Sequence, residues 1–258
     1  MNPTITIGKI EPISKEAFYE KYVSANRPVV ISNLVNDWEA LQTWTPEYFA
    51  NRFSYVNAGV VPLRNGELDL SEERGSKIVN ITVEESIKSV QAGKLTDGWA
   101  IASPIENFPL EMQQQCPPSV YCASGKFLRG RVFIGPKGIV TSLHQDLFEN
   151  LYTTVNGCKR ITLFAPNSPV YRHSPFSKLP NHAQVNPENP DYNRFPKFKN
   201  TNPIIIDLKA GETLYIPAFW WHHLRNTEPT IAVSYWWSQG WRLPIAWAAA
   251  VYKKCRGI

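Results

Sequence analysis

Ile139-Val140-Thr141-Ser142-Leu143-His144-Gln145-Asp146-Leu147-Phe148-Glu149-Asn150-Leu151-Tyr152-Thr153-Thr154-Val155-Asn156-Gly157-Cys158-Lys159-Arg160-Ile161-Thr162-Leu163-Phe164 holds three runs of strand-forming residues. β-Branched and aromatic side chains fill 139–143, 151–155 and 159–164, and polar or turn-forming residues separate them. Asn156-Gly157 is a two-residue hairpin signal; it would pair Val155 with Cys158 and Thr154 with Lys159. Outward from this stretch, Arg131–Ile134, Ile204–Leu208, Thr213–Ile216, Trp220–Leu224 and Ile231–Trp237 repeat the pattern. Eight short strands predict a mainly β fold, a double-sheet jelly roll. Residues 165–203 interrupt the series with eight prolines. A loop of that length is functional or disordered, and Tyr192, Phe195 and Phe198 as apolar anchors favour an ordered lid.

The flanks differ from this core. Residues 1–130 mix helices with a few strands such as Pro28–Ser32. Ser14 and Thr45-Pro46 are helix starts, and Thr82 with Glu85 forms a capping box for a helix that Gly93 ends. Residues 239–258 predict a short helix, Pro244–Lys254, apolar enough to dock on its own domain or on a second subunit, so a homodimer stays open. The expected layout is a single domain over 1–258, with its jelly-roll core at 131–238.

Composition narrows the function classes. With 258 residues, 43% hydrophobic and 19% charged, the composition favours neither a disordered chain nor a membrane span; the longest apolar run, Ile245–Tyr252, is too short for a bilayer. Met1–Phe18 has no continuous apolar run of the secretory kind, so cytoplasmic residence is the default expectation. The four cysteines show no metal or redox spacing and receive no chemistry. A net charge of +5 without a dense Lys/Arg cluster does not mark a nucleic-acid surface. Six of the nine tryptophans fall from Trp220 onward.

On an extended segment residues two apart point the same way, so His144 and Asp146 converge and can hold a metal. Alone, such a triplet also arises by chance. Lys159 shares the inward face with Tyr152 and Ile161, while Arg160 looks outward. A buried ammonium needs a partner, and an anionic ligand would supply one; the alternative is that Lys159 lies at a solvated mouth and snorkels. Of the adjacent pair His222-His223, at most one joins a metal site on a regular strand. A distal histidine would complete a two-histidine, one-carboxylate triad, the signature of non-haem Fe(II) oxygenases.

H-x-D, a lysine fifteen residues after the histidine, and Gly211-Glu212-Thr213-Leu214-Tyr215-Ile216-Pro217-Ala218-Phe219-Trp220-Trp221-His222-His223 together resemble the JmjC-type, cupin-like 2-oxoglutarate oxygenases. Within that group the chain most resembles the hypoxia-inducible-factor asparaginyl hydroxylase group and its bacterial cupin-like relatives. Arg27-Pro28-Val29-Val30-Ile31 and Asn189-Pro190-Asp191-Tyr192-Asn193-Arg194-Phe195-Pro196 extend the likeness over most of the chain. It implies a double-stranded β-helix fold with flanking N-terminal helices. It also implies Fe(II) on His144, Asp146 and His222, with 2-oxoglutarate and O2 as cosubstrates. Lys159 would hold the distal carboxylate of 2-oxoglutarate, assisted by Thr141, which sits three residues before His144 and needs a bulge to face inward. Asn150, Tyr152 and Ser234 match cosubstrate-side positions, and Trp99 stands where a tyrosine often shares that carboxylate. Asn181, His182 and Trp236 are the substrate-side candidates. The chemistry is iron-centred, with no separate acid or base.

The implied activity is hydroxylation of a protein or peptide side chain, yielding succinate and CO2. A small molecule such as an amino acid or natural-product precursor, or a tRNA base, stays open as the acceptor, and demethylation uses the same oxidation. The non-enzymatic alternative is a cupin-like module that holds a metal without turnover.

Overall fold

Capping side chains set the helix starts. In a computed structural model, which describes residues 7–64, 66–68, 79–91, 99–123, 125–177 and 179–238, Ser14 Oγ accepts from the Ala17 N–H at the head of α1 (Lys15–Phe18). α2 (Ala40–Thr43) follows. Thr45 Oγ1 accepts from Tyr48 N–H at the start of α3 (Pro46–Arg52), with Pro46 in its first turn. Thr82 and Glu85 form the reciprocal capping box of α4 (Val83–Gln91): Thr82 N–H donates to Glu85 Oε2 and Glu85 N–H to Thr82 Oγ1. A further short helix is α5 (Leu110–Gln114).

The upstream strands are β1 (Lys9–Ile10), β2 (Val29–Ile31), β3 (Asn57–Arg64), β4 (Glu67–Leu68), β5 (Val79–Thr82) and β6 (Trp99–Pro104). The eight expected core strands follow as β7 (Lys126–Gly135), β8 (Val140–Gln145), β9 (Glu149–Asn156), β10 (Cys158–Phe164), β11 (Ile204–Lys209), β12 (Thr213–Ile216), β13 (Trp221–Asn226) and β14 (Thr230–Ser238). Their pairings are nested: β10 with β11, β9 with β12, β8 with β13, β7 with β14, all antiparallel. The core is therefore one long ribbon, rolled so that β12-β9-β14-β7 form a first sheet and β11-β10-β13-β8 a second. β2 extends the first sheet beside β12, and β6 with β3 extends it beside β7. The β3–β4 hairpin meets β8, which joins the strands into one continuous mixed sheet.

Rolling the ribbon overturns the expected hairpin. β9 lies in the first sheet and β10 in the second, so Thr154 pairs with Ala232 and Lys159 with Asn226 and Leu208. A type I′ turn needs positive φ at both central residues; Gly157 has φ +80° and Asn156 does not share that sign. A Cβ at Gly157 would stand 2.0 Å from the Pro229 carbonyl oxygen, so the turn is packed under the chain entering β14 and does not project into solvent.

Strand alternation sorts the apolar residues into layers. Phe18, Trp44, Phe49, Tyr121, Tyr215 and Trp237 form a core between the first sheet and the helices. Ile161, Leu163, Leu208, Leu214 and Ala232 fill the space between the sheets. Leu143, Phe164 and Trp221, on the outer face of the second sheet, pack against Val170, Val185, Phe195 and Phe198 of the insert. Phe195 and Phe198 are thus anchors, whereas Tyr192 is 41% exposed and is not. The insert braces the back of the second sheet and does not form a lid; only Asn181 and His182 among its described residues reach the inter-sheet cavity.

The late tryptophans that the structure describes are spread over several layers. Trp221 belongs to the outer cluster, Trp237 to the helical core, and Trp220 donates its Nε1–H to the Asn26 carbonyl. Trp241, Trp247, Gly93 and the helix expected at 244–254 lie outside the described residues, as does the Trp99 side chain.

Candidate active site

His144 and His222 sit opposite one another on β8 and β13. One residue further along, the register shifts: His222 faces His144 but Leu224 faces Thr141, so β8 carries one extra residue. That β-bulge turns Thr141 onto the face of His144, and both line the cavity between the sheets. Asp146 follows just beyond the end of β8, and its carbonyl accepts from Phe219 N–H at 2.8 Å.

One ligand atom from each of His144, Asp146 and His222 lies within 4.8 Å of the other two, and His222 Nε2 is 3.6 Å from Asp146 Oδ2. Metal bonds near 2.1 Å meeting at right angles put ligand atoms about 3 Å apart, a spacing that small side-chain rotations reach. The tautomers suit an ion. His144 Nδ1 lies 2.8 Å from the Ser142 carbonyl and His222 Nδ1 lies 3.0 Å from the Trp220 carbonyl. A carbonyl can only accept, so each Nδ1 carries the proton and each Nε2 is left with its lone pair. Burial, reinforced by neighbouring His144, pulls the His222 pKa down to about 4, so the imidazole is neutral at physiological pH. Trp236 Nε1–H donates to Asp146 Oδ2 at 2.9 Å and fixes the carboxylate's rotation.

His223 faces away from this cluster. It is buried, and burial holds its pKa down to about 4, with Glu188 opposing the shift.

The cavity has a volume of about 690 Å³. Lys159, 7% exposed, stands in it with its Nζ–H donating to Tyr152 OH at 2.6 Å, a bond from the second sheet to the first. Burial alone pulls the lysine down to about 7 and pushes the Tyr152 phenol up. The inward orientation expected of Lys159 holds although the hairpin used to derive it does not form, because β10 alternates by itself: Lys159, Ile161 and Leu163 are buried and Arg160 is exposed, paired with Asp207. The first sheet supplies two rows of cavity residues. Asn150, Trp236 and Arg129 lie across neighbouring strands, and Tyr152, Ser234 and Arg131 form the next row. Ser234 Oγ donates to Asn150 Oδ1 at 2.6 Å.

Asn181 and His182 reach the cavity from the insert. His182 forms an isolated bridge with His144, their rings stacked at 5.4 Å, and Asn181 Nδ2 donates to the Gln145 carbonyl. Ten of the eleven residues named for metal, cosubstrate and substrate line this one cavity, and the eleventh, Ser234, is joined to it through Asn150. Sequence reasoning missed Phe133, Arg129 and Arg131, which the period-2 face of β7 would have exposed, and Glu149, whose place in an apolar run was the signal. His173 lies in the insert, half-buried, and its pKa is lowered by burial and by Arg194.

A family model described as a cupin-like domain matches residues 15–242. Lysine-specific demethylase 8 of Xenopus tropicalis is 31% identical over 242 residues, covering 90% of this chain and 53% of that protein. The bifunctional peptidase and (3S)-lysyl hydroxylase JMJD7 of Homo sapiens is 28% identical over 261 residues, covering 88% of this chain and 82% of its own. The arginine-specific demethylase JMJ20 of Arabidopsis thaliana is 27% identical over 285 residues, with 93% and 60% covered. The chain thus spans little more than half the length of lysine-specific demethylase 8.

Proposed function

We propose that this chain, which belongs to the cupin-like domain family, is an Fe(II)- and 2-oxoglutarate-dependent hydroxylase of a protein or peptide side chain. One observation carries the reading: a cavity with a two-histidine, one-carboxylate cluster at one place on its wall and a buried lysine at another. That pairing suits a chelated metal and an elongated dianion. Iron(II) with 2-oxoglutarate and O2 supplies the oxidation, in which a substrate C–H becomes C–OH while 2-oxoglutarate is converted to succinate and CO2.

The chain's own residues bind and orient. His144 and His222 offer Nε2 and Asp146 a carboxylate oxygen; the Ser142 and Trp220 carbonyls and the Trp236 indole hold the three side chains in place. Lys159 takes the distal carboxylate of 2-oxoglutarate, with the Tyr152 hydroxyl and Thr141 beside it. Asn150 and Ser234 line the cosubstrate's flank. Phe133, Leu224 and Val61 supply apolar wall that keeps water from the reacting carbon. Asn181, His182 and Trp236 face the substrate.

The printed names of the relatives support a side chain of a protein as the acceptor, and they point to lysine and arginine chemistry. The (3S)-lysyl hydroxylase name supports stable hydroxylation, and the two demethylase names keep loss of a methyl group open as an outcome of the same oxidation.

Purified protein given Fe(II), 2-oxoglutarate and ascorbate should release succinate, and Asp146→Ala should stop it. Equal succinate from both proteins would refute the oxygenase reading of this cluster, and no succinate from either would leave a metal-holding module as the better account. Peptide and metabolite pools screened by mass should show a gain of one oxygen that depends on the enzyme; a gain confined to small molecules or tRNA would overturn the peptide assignment.

A further inference from the structure

Glu149, at the head of β9, is fully buried. Its Oε2 accepts from Tyr215 OH at 2.6 Å and from the main-chain N–H of Ala218 at 3.1 Å. Tyr215 lies on β12, and Ala218 lies in the short connection from Ile216 to Trp221 that delivers β13. In that connection Phe219 has φ +70°, a left-handed conformation that residues other than glycine, asparagine and aspartate rarely hold. Contacts on either side hold it: Ala218 to Glu149, Phe219 N–H to the Asp146 carbonyl at 2.8 Å, and Trp220 N–H to the Pro217 carbonyl at 3.2 Å. The Trp220 carbonyl then fixes His222 Nδ1.

We infer that Glu149 is a positioning residue for the metal cluster: its carboxylate sets the Ala218–Trp220 turn, which orients His222 through a carbonyl and ties the same turn to Asp146. This rests on the metal reading above, and it assigns to a buried acid outside the triad a share in the geometry of two ligands. The requirement is for an acceptor oxygen at this place, so glutamine serves and leucine does not.

Co(II) titration of metal-free protein tests this, followed by the visible ligand-field spectrum and by isothermal titration of 2-oxoglutarate at saturating Co(II). Glu149→Leu should weaken Co(II) binding roughly 10- to 100-fold, the usual effect of removing a group that orients a ligand, and should shift the spectrum. Glu149→Gln should restore both to near wild type, and the 2-oxoglutarate affinity of the saturated protein should stay close to wild type in each. Folded Glu149→Leu with wild-type Co(II) affinity and spectrum would overturn the inference, as would Glu149→Gln failing as badly as Glu149→Leu. If Glu149→Leu does not fold, Tyr215→Phe decides, because it removes a donor to the same carboxylate: weakened Co(II) binding with an altered spectrum supports the role, and unchanged binding refutes it. Wild-type protein that binds no Co(II) would instead refute the metal site itself.

Discussion

Replacing Lys159 by methionine should stabilise the ligand-free protein and cripple its hold on 2-oxoglutarate. In the folded chain burial takes the ammonium from its ordinary value near 10.5 down to about 7. Below pH 7 the lysine is charged in both folded and unfolded states, and the full cost of burying the charge is present. Between pH 7 and 10.5 only the unfolded chain keeps the proton, so stability rises with pH across that window. Three and a half pH units correspond to about 5 kcal/mol. Lys159→Met removes the charge and keeps most of the volume, so urea melts of ligand-free protein at pH 6.5 should show a gain of about 2–5 kcal/mol, and the rise above pH 7 should vanish. Binding should move the other way. A carboxylate left without its cation costs about 3–5 kcal/mol, which weakens 2-oxoglutarate roughly 10²- to 10³·⁵-fold. Calorimetry with Mn(II) in place of iron, which prevents turnover, reads this directly. Because wild-type Lys159 must regain a proton to meet the carboxylate, its 2-oxoglutarate Kd should climb about tenfold per pH unit above 7, and Lys159→Met should be flat. An unchanged Kd in the variant, or a wild-type Kd indifferent to pH between 7 and 9, would refute the role assigned to this lysine.

Other substitutions probe separate parts of the molecule. Tyr152→Phe deletes one hydrogen bond to Lys159, worth about 0.5–1.5 kcal/mol, so 2-oxoglutarate binding should weaken roughly 2- to 12-fold with Co(II) affinity unchanged. Gly157→Ala places a Cβ 2.0 Å from the Pro229 carbonyl oxygen at φ +80°; thermal unfolding should show a loss above about 2 kcal/mol, and a wild-type melting curve would mean that the turn lies free in solvent. Asp207→Asn breaks the two-bond contact with Arg160, but both side chains are about half exposed, and chemical denaturation should register no more than about 1 kcal/mol.

Local pattern revealed much of the fold because the eight core strands carry β-branched and aromatic residues between clear turn signals. Long-range pairing was not visible in the same way. Asn156-Gly157 is chemically a hairpin turn, yet what decides its geometry is the chain passing over Gly157 from Pro229, far away in sequence. Trp236 and Trp237 are neighbours in sequence but face opposite sides of a sheet, one toward the cavity and one into the helical core, so a run of tryptophans could not be read as one wall. The site was more legible than the packing. The separation of Thr141 from His144 demanded a bulge, and the register of β8 contains one. Alternation on β10 was enough to point Lys159 inward whatever its neighbours. Glu149 escaped notice because the Tyr215 phenol and the Ala218 main-chain amide that donate to it come from the other side of the ribbon, and neither leaves a mark near it in sequence.

The nested ribbon also predicts an order of assembly. Leu163 finds Ile204, then Tyr152 finds Leu214, then His144 finds His222, and Val132 meets Val233 last; each step closes a longer loop than the one before, and the inner pairs shorten the search for the outer ones. The proline-rich insert is the tip at which this zipper begins. The two histidines come together only in the third step, so a chain stalled early would have strands and part of a core but nowhere to bind a metal ion. On the proposed metal reading, Co(II) affinity acquired during refolding should therefore report how far the ribbon has closed.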